Sequence, residues 1–412
     1  MGNRPLEGIR VVEMATFIAA PCTARFLADL GAEVIKVEPP MGDPLRYTAV
    51  NEGRPLDQKE NTSYDLENAG KTCISLNTKS EEGREALEKL LATADVFICN
   101  WRQSPLKRAG LDWETLHEKY PKLVYGYVSG YGEKGPDKDL PGFDFTAFYA
   151  RGGILGPLRD KNSLPMLTVQ GFGDHQVAMN LAAGVLAALF KAKMTGEGDH
   201  VVVSLFHSAI WDISLMLQAS QYGADSTQYP MERWKLGNPL VLCYETADGQ
   251  WLQIAMPQYD RHYPILMNAM GYPELADDAR YYPQKNLIPN REEFSAWITA
   301  EFKKKTCDEW CKLLDANDLP YAIAQEWDSL LEDKQAWASD CFYEMSYSNG
   351  NKRTLVRPPV LFDQMGLPPY ERGPYLGEQT KDILGELGYS AEAIDELIKS
   401  GAVIDMDPAL RD

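Results

Sequence analysis

The sequence is short of the residues that build metal and disulfide sites. Its five histidines, His117, His175, His200, His207 and His262, form no HExxH pattern. Its seven cysteines are odd in number and scattered, with no CxxC. Such usage fits reduced thiols in a cytoplasmic protein rather than a disulfide framework. Cys307 and Cys311 stand four apart on an expected helix and share a face, but no further Cys or His joins them at ligand spacing, so no metal site is expected. There is also no GxxxxGK[ST], and no GxGxxG follows the first strand, where the chain reads Ala15-Thr16-Phe17-Ile18-Ala19-Ala20-Pro21. P-loop and nicotinamide chemistry therefore lack support. No run of 18 apolar residues occurs and the N-terminus is not basic-then-apolar, so neither a membrane span nor a signal peptide is expected. Basic residues are outnumbered 41 to 60, giving a net charge of −19. That balance argues against nucleic acid or an anionic membrane surface as partner. A small anionic ligand needs only a local basic cluster.

What is present is the composition of a globular protein, 44% apolar and 25% charged over 412 residues. This length allows two or three domains. Strand patterns at 9–14, 32–37, 72–76, 95–99, 123–128 and 200–205 alternate with helical ones at 21–30, 81–92, 174–194 and 206–221. That alternation predicts an α/β fold with a doubly wound parallel sheet in a large domain, 1–224. The texture changes near Ala224, with Pro230 and Pro239 in a linker. A hairpin at 242–246 and 251–256 turns at Asp248-Gly249. With helices at 261–270, 291–302 and 307–317, it predicts a smaller α+β domain, 225–325. Residues 326–412 hold short helices, the prolines Pro358, Pro359, Pro368 and Pro369, and a final helical pair at 380–387 and 391–400. This segment is expected to pack back on the large domain.

The segment Gly171-Phe172-Gly173-Asp174-His175-Gln176 sets a carboxylate between a glycine turn and a long apolar helix. On the local pattern alone, Asp174 reads as a helix cap, for which Asp is among the commonest residues. It also reads as a nucleophile towards an activated acyl carbon, with Gly171 and Gly173 offering N–H donors to the oxyanion. Both readings stand at this point.

Several ordered segments resemble the class III, formyl-CoA transferase-like CoA-transferases. They are Gly8-Ile9-Arg10-Val11-Val12-Glu13-Met14, Ala19-Ala20-Pro21, Leu30-Gly31-Ala32-Glu33-Val34-Ile35-Lys36-Val37-Glu38, Leu76-Asn77-Thr78-Lys79, residues 100–110 and Tyr131-Gly132-Glu133-Lys134-Gly135-Pro136. The similarity is closest to enzymes that load CoA onto (R)-2-hydroxy acids in amino-acid fermentation. The residues Asp43-Pro44-Leu45-Arg46-Tyr47 and Gly53-Arg54-Pro55-Leu56 lean to the aryl-lactate branch, with cinnamoyl-CoA as donor. The 2-hydroxyisocaproate branch is the alternative.

The resemblance implies an interlocked homodimer, Asp174 as nucleophile, and CoA thioesters as substrates with no permanently bound cofactor. It implies CoA contacts at Thr16, Phe17, Ile18 and Ala19, at Leu76, Thr78 and Lys79, and at Asn100, Trp101 and Arg108. Asp144 is expected near the site, orienting a substrate hydroxyl or tuning Asp174, with a loop cap as its plainer reading. The resemblance also points to a 2-hydroxyacyl-CoA dehydratase as partner. The formyl-transferring members carry a four-glycine run over the site. Here that region reads Arg233-Trp234-Lys235-Leu236-Gly237-Asn238-Pro239, which argues against a gating loop of that kind. An α-methylacyl-CoA racemase shares the fold, but the base it needs before Asp144 is here Phe143. A non-catalytic CoA-binding subunit is the rival from another class.

Overall fold

Strands rich in β-branched residues form the centre of the larger unit of this chain. The computed structural model describes residues 4–223, 229–230, 232–366 and 370–411. The expected domain boundary at 224/225 and the residues Pro368 and Pro369 lie outside the described residues. Contacts divide the chain into two units. The first comprises Met1–Ile154, Thr168–Ser214 and Lys334–Asp412, and the second Leu155–Leu167 and Leu215–Asp333.

Six strands of the first unit run parallel: β1 (Arg10–Met14), β2 (Glu33–Glu38), β3 (Thr72–Leu76), β4 (Val96–Cys99), β5 (Val124–Ser129) and β6 (His200–Ser204). Their order is β3-β2-β1-β4-β5-β6, with the short strand Val403–Ile404 antiparallel on the outer edge of β3. This is the strand order of a doubly wound sheet. Val11, Val12, Val96, Phe97 and Ile98 are all sealed from solvent, as expected when both faces of a parallel sheet are covered. One face packs Val12, Ile35, Ile74 and Phe97 against Leu384 and Leu397 of the C-terminal helices Thr380–Glu386 and Ala391–Ser400. Each such side chain contributes about 1.5–3 kcal/mol.

The 24-residue helix Phe172–Thr195 is long and apolar enough to cross a bilayer by length and composition. In the structure it packs on the sheet. A Cβ on Gly126 of β5 would lie 3.1 Å from Val185, and one on Gly184 would lie 2.5 Å from Val201 of β6. The helix expected at 206–221 is interrupted. Leu205–Asp212 ends at Ile213, whose N–H is shared by the Ala209 and Trp211 carbonyls in a tightened last turn, and Ser214–Ala219 follows.

The second unit holds an antiparallel sheet of β7 (Cys243–Glu245), β8 (Trp251–Ile254) and β9 (Tyr321–Ile323). Helices Tyr259–Met270, Arg291–Phe302 and Cys307–Ala316 pack against it through Tyr263, Phe294, Ile298 and Trp310. A hairpin in the first unit, Phe342–Ser346 with Lys352–Val356, was not expected from the sequence.

Candidate active site

Topology sets the position of the site. Chain connections diverge between β1 and β4, so a crevice opens beyond the C-terminal ends of those two strands. A cavity of about 440 Å³ lies there. It is lined by residues 16–19 after β1, Asn100 and Arg102 after β4, Gly130 after β5, residues 140–145, Gln170 and Asp174.

The loop after β1 is fastened from beneath by buried charge. Glu13 and Lys36 are register partners on β1 and β2, and their side chains pair at 2.7 Å with no exposure. Lys36 also meets Asp43 at 3.0 Å and donates to the Ala15 carbonyl at 3.0 Å. Lys71 bonds the other Glu13 oxygen at 2.6 Å and the Pro21 carbonyl at 2.8 Å. Burial lowers Lys71 to about 8, against the pull of Glu13. Asn100 accepts from Thr16 N–H at 3.2 Å and donates to its carbonyl at 2.8 Å. Asp43 accepts from Phe17 N–H at 3.1 Å. Phe17 has φ +65°, a left-handed conformation that costs a residue with a side chain about 1–2 kcal/mol. Strain of this kind persists where the surroundings over-determine it.

The long helix begins two residues before Asp174. Gly171 is its N-cap residue, with φ +81°, and Asp174 is the third residue of the first turn. The carboxylate therefore does not serve as the cap. Gly173 is required by space, because a Cβ there would lie 2.3 Å from the Phe148 ring and 2.4 Å from Asp144 Oδ1. Gly173 N–H donates to Asp144 Oδ1 at 3.1 Å. That bond engages one of the two glycine donors expected for an oxyanion and ties the two carboxylates together. Asp144 opens a π-helical turn, Asp144–Ala150, and is buried. Such turns recur at functional sites. On the other side, His175 Nε2 lies 2.9 Å from Glu67 Oε1, carried on helix Thr62–Asn68. Donor atoms of Cys22, Glu67 and His175 fall within 4.8 Å of one another.

These neighbours set the electrostatics. Burial, then the charges of Asp144 and Glu67, push Asp174 up from 3.8 to about 7, while His175 pulls the other way. Burial pushes Asp144 up to about 6 against the N–H groups of Gly171 and Gly173. Burial would lower His175, but its bond to Glu67 and the nearby carboxylates outweigh that and raise it. The result is a carboxylate poised near neutrality in a partly dry cleft, a state suited to covalent catalysis.

Of the residues expected to contact a ligand, Thr16, Phe17, Ile18, Ala19, Asn100, Asp144 and Asp174 share the cavity. Gly171 and Gly173 open the long helix beside the lining residues Gln170 and Asp174 but do not line the cavity themselves. Leu76 is buried in the sheet core, opposite Val403. Thr78 and Lys79 follow β3, two strands away from β1. Trp101 packs against the core, and Arg108 donates to Ser104 on the exposed helix Gln103–Ala109. None of these five lines the cavity. The sequence reading missed Arg102 and Lys138, two cations on the cavity wall, and Asp43 and Glu67, which position its residues. Asp43 had a signal, since Asp before Pro44 marks a helix start, and it does cap the turn Pro44–Glu52.

Comparison with known proteins gives a consistent result. The model of CoA-transferase family III matches residues 6–380. The cinnamoyl-CoA:phenyllactate CoA-transferase of Clostridium sporogenes is 52% identical, over 95% of this chain and 96% of its own. The (R)-2-hydroxy-4-methylpentanoate CoA-transferase of Clostridioides difficile is 41% identical, over 97% and 99%. Among solved structures, a mutant protein from Mycobacterium tuberculosis superimposes with a TM-score of 0.81 at 26% identity, over 93% of this chain and 99% of that one.

Proposed function

The chain belongs to CoA-transferase family III, and from that premise we propose that it moves CoA from a cinnamoyl-type acyl-CoA to an (R)-2-hydroxy acid of the aryl-lactate type through a thioester on Asp174. The observation that carries this reading is Asp174 itself: a carboxylate raised to about 7, on the wall of a cavity at the sheet's switch point. The 52% identity to a cinnamoyl-CoA:phenyllactate enzyme supports the aryl branch over the 2-hydroxyisocaproate branch, where identity is 41%.

In the forward half-reaction, a carboxylate oxygen of Asp174 attacks the thioester carbon of the donor. The C–S bond breaks, leaving a mixed anhydride and CoA thiolate. The thiolate then attacks the aspartyl carbonyl, releasing the donor acid and leaving an aspartyl-CoA thioester. The acceptor carboxylate attacks that thioester, and the same steps in reverse release the new acyl-CoA and restore Asp174. Splitting the exchange this way conserves the thioester bond energy. Each intermediate is open to hydrolysis, so the apolar wall of Phe17, Ile18, Leu140 and Phe143 has the task of excluding water. The N–H groups of Gly171 and Gly173, both directed at Asp144 in the free enzyme, are the donors assigned to the oxyanion, which has to draw one of them from that carboxylate. Arg102 and Lys138 suit the CoA phosphates, and Thr78, Lys79 and Arg108 are assigned to the same CoA more distally.

CoA thioesters are substrates, and no permanently bound cofactor enters the scheme. A cytoplasmic location and a homodimer belong to the same reading. Phe190, Met194 and Trp211 of the first unit are each more than 70% exposed in the single chain, surface that a second copy would cover. A monomer in sedimentation equilibrium would refute the dimer. The product is a 2-hydroxyacyl-CoA, the kind of substrate a dehydratase consumes, and co-elution with such an enzyme tests that partnership.

The test of function is transfer from cinnamoyl-CoA to a panel of (R)-2-hydroxy acids, with wild type beside Asp174→Asn. Transfer to phenyllactate, lost in the variant, is expected. Preference for 2-hydroxyisocaproate keeps the chemistry and moves the substrate. No transfer to any acid overturns the reading.

A further inference from the structure

Phe17 is an apolar side chain whose backbone is held in an unfavourable conformation by buried polar groups. Its N–H is fixed by Asp43 Oδ1 at 3.1 Å, and Asp43 is in turn fixed by Lys36 at 3.0 Å, both acceptor and cation fully buried. The residue before it is bracketed on both its polar groups by Asn100. None of these contacts touches the Phe17 ring. What they determine is the direction in which that ring leaves the loop.

The ring points into the cavity that holds Asp174. It remains 36% exposed and stands edge-to-face with Phe143, at 6.3 Å between centroids and 88° between planes. Phe143 is 55% exposed and is the residue before Asp144. Neither ring belongs to the core of the first unit, and both line the cavity. In an edge-to-face pair neither ring covers both faces of the other, and both rings keep solvent exposure. A third aromatic ring can then stack on one while presenting its edge to the other, both favoured geometries. A branched alkyl group fills the same volume without either electrostatic preference. Phe143 has an ordinary extended backbone, φ −125° and ψ 165°, so its placement does not depend on the strained loop.

We propose that Phe17 and Phe143 together form the acyl-group subsite and select an aryl side chain over a branched aliphatic one. This inference rests on the transferase reading. It assigns the Phe17 side chain to the acyl group, leaving CoA to the loop's backbone.

The test is a competition. Wild type, Phe17→Leu and Phe143→Leu are each given cinnamoyl-CoA with an equimolar mixture of (R)-phenyllactate and (R)-2-hydroxy-4-methylpentanoate, and the ratio of the two acyl-CoA products is read by mass spectrometry. Leucine keeps apolar bulk and removes the aromatic faces. The ratio cancels any loss of folded enzyme, because both acids meet the same active fraction. Each variant is expected to shift the ratio towards the branched product by about tenfold. An unchanged ratio in both variants, or equal loss of both products, overturns the inference and leaves the transferase reading intact. Absence of both products with wild type overturns the transferase reading, and the inference with it.

Discussion

Replacing Asp144 with asparagine should move the acid limb of the pH–rate profile to lower pH. In the proposed mechanism Asp174 attacks only when ionised, so activity should rise with pH through its pKa. Burial and the charges of Asp144 and Glu67 raise that value from 3.8 to about 7. The difference corresponds to roughly 4 kcal/mol of disfavoured ionisation, at about 1.4 kcal/mol per tenfold, with partial solvent access screening some of it. Burial is the largest cause and survives the substitution. The charge of Asp144 is the next and is removed. Asparagine keeps an oxygen for Gly173 N–H, now 3.1 Å from Asp144 Oδ1, so the turn has no reason to rearrange. We expect the limb to fall by about one pH unit, at the low end of what a neighbouring charge does. The assay is kcat/KM for CoA transfer between pH 5 and 9. The acceptor carboxylate titrates near the ordinary carboxylate range and leaves this window clear. A limb that stays near 7 or moves upward would refute the like-charge account. Loss of activity at every pH would mean that Asp144 takes part in the chemistry directly.

Gly173→Ala should cost about 1–3 kcal/mol of stability and most of the activity, since the added methyl meets Phe148 at 2.3 Å; a thermal melt and an initial rate both near wild type contradict this. Lys36→Met leaves Asp43 buried without its cation and should destabilise by about 3–5 kcal/mol in urea, and a loss under 1 kcal/mol would show the network to be dispensable. Burial alone would raise Glu38, but Arg46, Lys36 and Tyr64 outweigh it and hold the group at about 2 instead of 4.5. Its stabilising contribution is therefore complete above pH 4.5 and lost as pH falls towards 2. The stability gap between wild type and Glu38→Gln should narrow over that range, and a gap constant with pH contradicts the assignment.

Much of the large sheet was legible because its strands are short, largely apolar segments with Val or Ile in each, set between helical patterns. Thr72–Leu76, Arg291–Phe302 and Ala391–Ser400 were expected at the bounds observed. Strand order was not legible, since periodicity within a strand carries no information about its neighbours. The hairpin Phe342–Ser346 with Lys352–Val356 had its signal in Asn349-Gly350, where Gly350 takes φ +87°. The prolines that follow, Pro358 and Pro359, mask that signal in the sequence. In the site, Asp174 and its glycines announced themselves locally. The bond from Gly173 to Asp144 spans 29 residues and depends on a π-helical turn that no local pattern marks. Lys36, Asp43 and Glu67 look in sequence like solvated surface charges, which is where most such residues lie. The burial of Lys36, and of Asp43 that pairs with it, becomes evident only when the register sets Glu13 opposite Lys36, and that of Glu67 only when the fold brings His175 beside it.

The central claim is that CoA passes through a covalent bond to Asp174. The most direct test incubates the enzyme with cinnamoyl-CoA and no acceptor, quenches it in acid, and measures intact and peptide masses. The account predicts an enzyme heavier by CoA less water, with the addition on the peptide that carries Asp174, discharged by hydroxylamine and absent from Asp174→Asn. A CoA adduct on another residue, or undiminished transfer by the Asp174→Asn variant, would contradict it.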